Sequence, residues 1–437
     1  MITWRPALLF GLGLSTVWIW PWPWLALLGV VVVVAGVCLL DLLLTADPGA
    51  IRLSRAGTTV LRLGETGEVQ LVLGNPTGDA YRLDVRDAWT PSAGATPYSH
   101  RIELTAEATA VVTTAITPTR RGDRPAVRVT LRAYGPLGFA FRQVRHARAD
   151  AMTPPWTVRV LPRFESRKHL PEKLAKLRTL DGATTIRGRG QGTEFDALRE
   201  YVVGDDVRSI DWRATARRND VVVRTWRPER SRRVVCVLDT GRTSAVRIGD
   251  EPRIEHAIEA ALLLATVAQH AGDQVDLIAA DERVRAQVTR STGRTLLPRL
   301  VDALAPLHPA TAETDFELVI SEVLRTERKR SLIVLFTALE PGALGEGLLP
   351  VLPRLAARHT VLVAALHDPV IGELVGTAPA DATAVYRRVA GLRAREDRDR
   401  VVRSLTRHGV RVLDAAADVF PSRVTDVYLE LKATGKL

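Results

Sequence analysis

The densest concentration of residues able to do chemistry runs Gly188-Arg-Gly-Gln-Gly-Thr-Glu-Phe195, Leu198-Arg-Glu-Tyr201, Gly204-Asp-Asp-Val-Arg-Ser-Ile-Asp-Trp212 and Ala216-Arg217. Glycines this close together free backbone amides that can cradle a phosphate. That use normally follows a strand and leads into a Gly-Lys-Ser/Thr or dinucleotide fingerprint, and neither is present. The competing chemistry is internal. Arg199, Arg208 and Arg217 stand close in sequence to Glu194, Asp205, Asp206 and Asp211, as a structural ion-pair network requires.

A second concentration is purely basic: Arg213, Arg217, Arg218, Arg224, Arg227, Arg230, Arg232 and Arg233. Such a run could meet anionic lipid or nucleic acid. Only Trp212 and Trp226 interleave it and no nucleic-acid motif accompanies it, so a solvated or lipid-facing surface is the better reading. The net charge of +11 invites the same partners, although a genome that favours Arg over Lys explains it equally well. Metalloprotease, nucleophile-elbow and Walker motifs are absent, and the nine histidines lack metal-ligand spacing. Cys38 and Cys236 lie in an apolar run and in a predicted strand, so no disulfide framework is implied.

The elements that must position these residues fall into four stretches: 1–48, 49–164, 165–233 and 234–437. From Leu25 to Leu40 no residue is charged, and the run reaches Leu44 if Asp41 sits near an interface. About 20 residues at 1.5 Å each cross a bilayer. Ala7–Trp20 is shorter but can cross as well, with Trp18, Trp20, Trp22 and Trp24 around a turn set by Pro21 and Pro23. A two-helix transmembrane hairpin is therefore expected, and a cleaved signal peptide is not, because a second apolar run follows the first. Arg5 precedes the hairpin while Arg52, Arg55 and Arg62 follow it, which places both ends in the cytoplasm. One span plus an interfacial helix is the alternative, with the body outside.

Residues 49–164 alternate with period two in Val69–Leu73, Arg101–Leu104, Ala110–Ile116 and Val127–Leu131, separated by turn signals, which predicts an antiparallel β-sandwich. Between 165 and 233 a helix is expected over Pro171–Leu180. Beyond it, apolar runs at Val234–Leu238, Val275–Ala279, Leu332–Phe336, Val361–Leu366 and Val410–Leu413 alternate with helical patterns over Ile254–Ala268, Phe316–Arg325 and Leu348–Arg358. That alternation predicts a doubly wound, mostly parallel α/β sheet.

The signature block, with its G-x-G-x-E-F, L-R-x-Y, G-D-D-x-R-x-I-D-W and A-R runs, resembles the domain-of-unknown-function 58 (DUF58) family of bacterial membrane-anchored proteins. The residues carrying the resemblance are Gly190, Gly192, Glu194, Phe195, Arg199, Tyr201, Gly204, Asp205, Asp206, Arg208, Asp211, Trp212 and Arg217. The resemblance implies a transmembrane hairpin, a β-sandwich and a von Willebrand factor A-like domain. Domains of that kind bind Mg²⁺ at the end of the first strand through D-x-S-x-S, a later Thr and a later Asp. Here Asp239, Thr243 and Thr314 match, Gly241 replaces the middle serine and Ala338 stands where the Asp is expected. With two oxygen ligands missing and Arg242 nearby, Mg²⁺ binding is not expected, although Glu340 or Asp315 could substitute. The implied function is non-enzymatic: a membrane-anchored scaffold acting with a MoxR-type AAA+ ATPase in assembling or maturing other complexes. Binding of anionic lipid or nucleic acid through the arginines is the alternative.

Overall fold

A computed structural model describes residues 2–146, 153–187, 194–203, 205–218, 220–227, 232–291 and 293–437. The chain divides into two compact units, Met1–Leu161 and Pro162–Leu437.

The first unit opens with helices α1, Arg5–Thr16, and α2, Pro23–Leu44. A proline stands in the first turn of each, where its missing N–H would have been unbonded anyway. Among the described residues, α2 is the one helix long and apolar enough to cross a membrane. The 12 residues of α1 reach only about 18 Å, so the first run is shorter as a helix than the sequence suggested. A 3-10 turn, Val17–Ile19, extends it toward the tip.

Asp41, near the end of α2, is fully buried against the protein. Its Oδ1 accepts the Leu137 amide at 2.8 Å, and its Oδ2 accepts those of Phe139 and Ala140 at 2.7 Å each. The start of the chain grips the same turn. Thr3 donates its amide to the Phe139 carbonyl at 2.9 Å and its hydroxyl to that of Gly138, also at 2.9 Å. Arg5 Nη1 donates to the Leu137 carbonyl at 3.0 Å. Gly135 makes this possible, because a Cβ there would lie 2.3 Å from Asp41 Oδ1. The first turn of α1 and the last turns of α2 thus start from one level, and Trp18, Trp20, Trp22 and Trp24 stand exposed at the far end.

Two antiparallel-rich sheets follow. One orders Arg52–Gly57, Gly67–Gly74, Thr109–Ile116 and Ala95–Thr96. The other orders Val60–Arg62, Thr157–Leu161, Gly122–Tyr134, Tyr81–Trp89 and Ser99–Leu104, with Phe141–His146 paired to the third of these. Leu71, Leu73 and Val112 of the first sheet share one apolar cluster with Leu83, Val85, Val129 and Leu131 of the second. The period-two pattern produces this, since alternate side chains point to one face. Arg55 enters the buried region to pair with Asp87 at 2.6 Å, and Trp89 Nε1 donates to the same carboxylate at 2.9 Å.

In the second unit a six-stranded sheet runs Val284–Ser291, Gln274–Ala280, Arg233–Asp239, Leu332–Phe336, Thr360–Leu366 and Arg411–Ala415. All neighbours are parallel except the first pair. Burial on both faces explains the continuous apolar runs of the central strands. The helix Arg253–His270 covers the sheet with 13 buried residues, and its wide apolar face is why it reads at helical spacing. The helix predicted from Pro171 spans Leu170–Arg187. The expected Leu348–Arg358 helix contracts to Leu352–Ala356, preceded by a π-turn at Ala343–Leu348.

His359, just before the Thr360–Leu366 strand, is 3% exposed, and neither ring nitrogen has a hydrogen-bond partner among the described residues. Burial, with repulsion from Arg358 and Arg330, holds its pKa below the ordinary 6.5. As pH falls the unfolded chain takes up this proton first. The stability is therefore full above the unfolded value and is lost as pH drops below it toward the folded one. Thermal unfolding from about pH 7 to about pH 5.5 should show a decline that His359→Phe flattens. In the first unit, Asp41→Ala leaves three buried amides without their acceptor and should destabilise by about 2–4 kcal/mol. Loss of hydrogen-exchange protection at Leu137, Phe139 and Ala140 is the check.

Candidate functional site at the sheet end and the signature hairpin

Asp239 closes the central strand at the carboxyl edge of the parallel sheet, where open α/β sheets hold ligands. Its Oδ1 accepts the Gly241 amide at 2.8 Å and the Thr314 hydroxyl. Its Oδ2 accepts the Thr243 hydroxyl at 3.1 Å and the Thr337 hydroxyl at 2.6 Å. The structure therefore brings together Asp239, Thr243 and Thr314 as the sequence suggested, and adds Thr337 from the neighbouring strand's end. Thr337 stands just before Ala338, the position at which an Asp was sought. A short hydroxyl beside a missing carboxylate was the only signal available for it.

The loops around this carboxylate are tied to one another. Arg242 N donates to the Ala312 carbonyl at 2.8 Å, and Asp315 N to that of Asp281 at 3.1 Å. Asp281, fully buried, accepts Thr240 Oγ1 at 3.0 Å and Arg285 Nε at 2.6 Å. Its pKa stays low because those bonds outweigh the burial that would raise it. Gly241 has no room for the serine once sought there: a Cβ would meet Thr314 Oγ1 at 2.4 Å and Thr314 N at 2.9 Å.

Arg253 is the residue the sequence reading missed. It is buried beside the site, donating from Nη1 to the Thr243 carbonyl at 2.7 Å and reaching Glu340 Oε1 at 3.4 Å. Burial holds its pKa below the ordinary guanidinium value, while Glu340 and Asp239 oppose that drop. A cation in the first turn of a helix runs against the helix dipole, and that misplacement was a legible hint. Glu340 thus faces Arg253, and Asp315 caps the helix Phe316–Thr326 through the Leu318 amide at 3.0 Å.

The donor set does not fit Mg²⁺. A hard divalent ion wants octahedral oxygen ligands and compensating negative charge. Here both oxygens of the one carboxylate already accept two hydrogen bonds each, and a buried arginine supplies positive charge. Among the described residues no group of three or more His, Cys, Asp or Glu could hold a metal. The cavity bounded by Asp239, Arg253, Phe336 and Phe420 measures ≈ 10 Å³, room for about one water. Cys236, in the same strand, is fully buried with its thiol pushed up to about 12, which leaves it inert.

The signature block folds as an antiparallel pair, Glu194–Glu200 with Val222–Arg227, joined through the helix Trp212–Arg218. Glu194 and Phe195 lie on the first of these strands, whereas Gly190, Gly192 and Gly204 fall outside the described residues. Tyr201 continues the pairing, donating its amide to the Val221 carbonyl at 2.8 Å. Arg199 pairs with Asp205 at 2.5 Å, as expected. The rest of the network differs. Asp211 caps the amides of Arg213 and Ala214 at 3.0 Å each and pairs with Arg224 at 2.7 Å, not with Arg208 or Arg217. These contacts hold its carboxyl below the usual range, the Ala214 amide first. Asp206 caps the Arg208 amide at 3.0 Å. The carboxylates therefore fix the local fold, and outward they leave Val202, Val203, Val207 and Trp212, with Val203 95% exposed.

The basic run is also partly committed. Arg224 belongs to Asp211, Arg233 pairs with Glu327 at 2.7 Å, and Arg232 Nη1 donates to the Leu437 carbonyl at 3.3 Å. Arg230 lies outside the described residues.

Restoring the serine should not restore a metal site. Gly241→Ser is expected to cost about 1–3 kcal/mol by pushing Thr314 away. Neither it nor the wild type should gain thermal stability in millimolar Mg²⁺, which scanning unfolding with and without the ion would show.

Among known proteins, the chain is 28% identical over 187 residues to the uncharacterized protein Rv1480 of Mycobacterium tuberculosis, and equally to Mb1516 of Mycobacterium bovis. Those alignments cover 41% of this chain and 56% of each relative, so the chain spans little more than half the length of the relatives it matches. Solved structures are more distant. The CARDB domain of a Pyrococcus furiosus protein is 16% identical, with a TM-score of 0.19, covering 25% of this chain and 86% of that one. Proximal thread matrix protein 1 of the mussel byssus is 10% identical, with a TM-score of 0.28 and 47% of each chain covered. Scores this low carry no inference about fold or function. The family model described as protein of unknown function DUF58 matches residues 197–409, from the signature hairpin to the turn before the last strand of the six-stranded sheet.

Proposed function

We propose that the protein is a non-enzymatic, membrane-anchored interaction protein whose signature module docks a protein partner. The observation that carries this reading is the division of labour within that module. Asp205, Asp206 and Asp211, with Arg199 and Arg224, are engaged in holding the hairpin and helix, while Val202, Val203, Val207 and Trp212 face outward. An exposed tryptophan among valines is the composition of a binding hot spot. The partner suggested by the family resemblance is a MoxR-type AAA+ ATPase, with a role in assembling or maturing other complexes.

The shared apolar cluster supports reading the first unit's two sheets as a β-sandwich. Strand order and the carboxylate at the end of the central strand support a von Willebrand factor A-like sheet that works without a metal. Membrane anchoring rests on α2, and a two-pass hairpin on the turn that both helices share. From Asp41 back to Pro23 is about 27 Å, and α1 with its 3-10 extension reaches about 24 Å. Modest thinning of a bilayer core of about 30 Å accommodates both arms. The arginines flanking the hairpin support a cytoplasmic body, on the side where such an ATPase would meet it.

The test is direct binding of the detergent-solubilised full-length protein to a purified MoxR-type ATPase from the same organism. Trp212→Ala with Val203→Ser should weaken binding about tenfold or more, since truncated hot-spot residues typically cost over 1 kcal/mol. Absence of binding by the wild type, or equal binding by the variant, would overturn the proposal.

A further inference from the structure

The second unit carries a helical arm with an unexplained surface. A short helix, Pro369–Gly376, has no buried residue, and the first half of the long helix Ala382–Arg407 buries only Gly391. Gly391 closes the pair: a Cβ there would sit 3.3 Å from both Leu374 Cβ and Val375 Cγ2. The two helices are therefore packed on each other, and the remaining surface of the arm faces water.

That surface is not polar. Val385, Tyr386, Val389 and Leu392 recur at i, i+1, i+4 and i+7, so they share one side of the long helix, and all four are exposed, Tyr386 by 77%. Val370 on the short helix is exposed as well. Arg387, Arg388, Arg393 and Arg395 lie along the same stretch, and none has an ion-pair partner among the described residues. The carboxylates from Asp368 to Asp397 are largely committed: Asp368 caps the short helix through the Val370 amide at 3.0 Å, Asp381 caps the long helix through the Ala384 amide at 2.6 Å, and Asp397 pairs with Arg400 at 2.9 Å, which leaves Glu373 and Glu396.

We propose that this arm docks on the anionic headgroup surface of a bilayer. An apolar stripe flanked by arginines on a preformed helix suits the headgroup boundary: valine, leucine and the tyrosine ring enter, and the guanidinium groups remain with phosphate. Charge argues against a second copy of the chain, because Arg388, Arg393 and Arg395 border the apolar side of the helix and would meet their own copies. The proposal rests on the reading of α2 as a span, which keeps a membrane surface at high local concentration.

The experiment adds the full-length protein to vesicles of phosphatidylcholine alone, and to vesicles in which about a quarter of the lipid is phosphatidylglycerol. Flotation on the neutral vesicles reports insertion of the apolar hairpin. Hydrogen exchange over residues 382–394 reports the arm. Exchange there should slow about tenfold on the anionic vesicles only, and high salt should reverse it. Arg387→Gln with Arg388→Gln and Arg393→Gln should abolish the slowing while the Arg233–Asp239 strand keeps its protection, which separates lost docking from misfolding. Equal exchange on the two vesicle types overturns the proposal, as does slowing that only an added acidic protein produces. A chain that fails to float on neutral vesicles overturns the anchor reading instead, and the arm is still judged on the anionic ones.

Discussion

A carboxylate withdrawn from water must be met by donors, and this constraint shapes both functional ends of the molecule. Asp41 sits at the end of an apolar helix, where an unpaired charge would be prohibitive. Three backbone amides of one turn surround it, and that turn can only approach because Gly135 lacks a side chain. The contact converts a greasy segment into a fixed mount, because Thr3 and Arg5 from the first helix close on the same turn. Within that unit the body and the hairpin are one packed object, with no flexible tether between them.

Asp239 obeys the same constraint with a different outcome. Three threonine hydroxyls and one amide satisfy its two oxygens, and Arg253 balances its charge from inside the protein. Three loops are thereby joined at the carboxyl edge of the sheet. A site of this construction is rigid and closed, with little space to admit a substrate.

The exposed apolar surface then becomes the informative part of the second unit. The valines and tryptophan of the signature hairpin and the stripe on the long helix both lie beside charges that could have been used to cover them. In the hairpin Asp205, Asp206, Asp211, Arg199 and Arg224 are engaged in its own fold. On the arm Arg387, Arg388, Arg393 and Arg395 have no ion-pair partner among the described residues, and the two docking proposals rest on that contrast.

The sequence by itself determined the elements whose pattern is local. Period-two runs gave strands over Gly67–Gly74 and Thr109–Ile116, continuous apolar runs gave the parallel strands, and helical spacing gave Arg253–His270, because burial imposes those periods on neighbouring residues. It also identified Asp239, Thr243 and Thr314, and a network of arginines and carboxylates within which Arg199 meets Asp205. Tertiary structure decided what depends on residues distant in sequence. Thr337 reaches Asp239 across 98 positions and Asp41 reaches its amides across nearly as many, distances no periodicity encodes. The strands Tyr81–Trp89 and Val284–Ser291 and the long helix Ala382–Arg407 were likewise settled by what packs beside them.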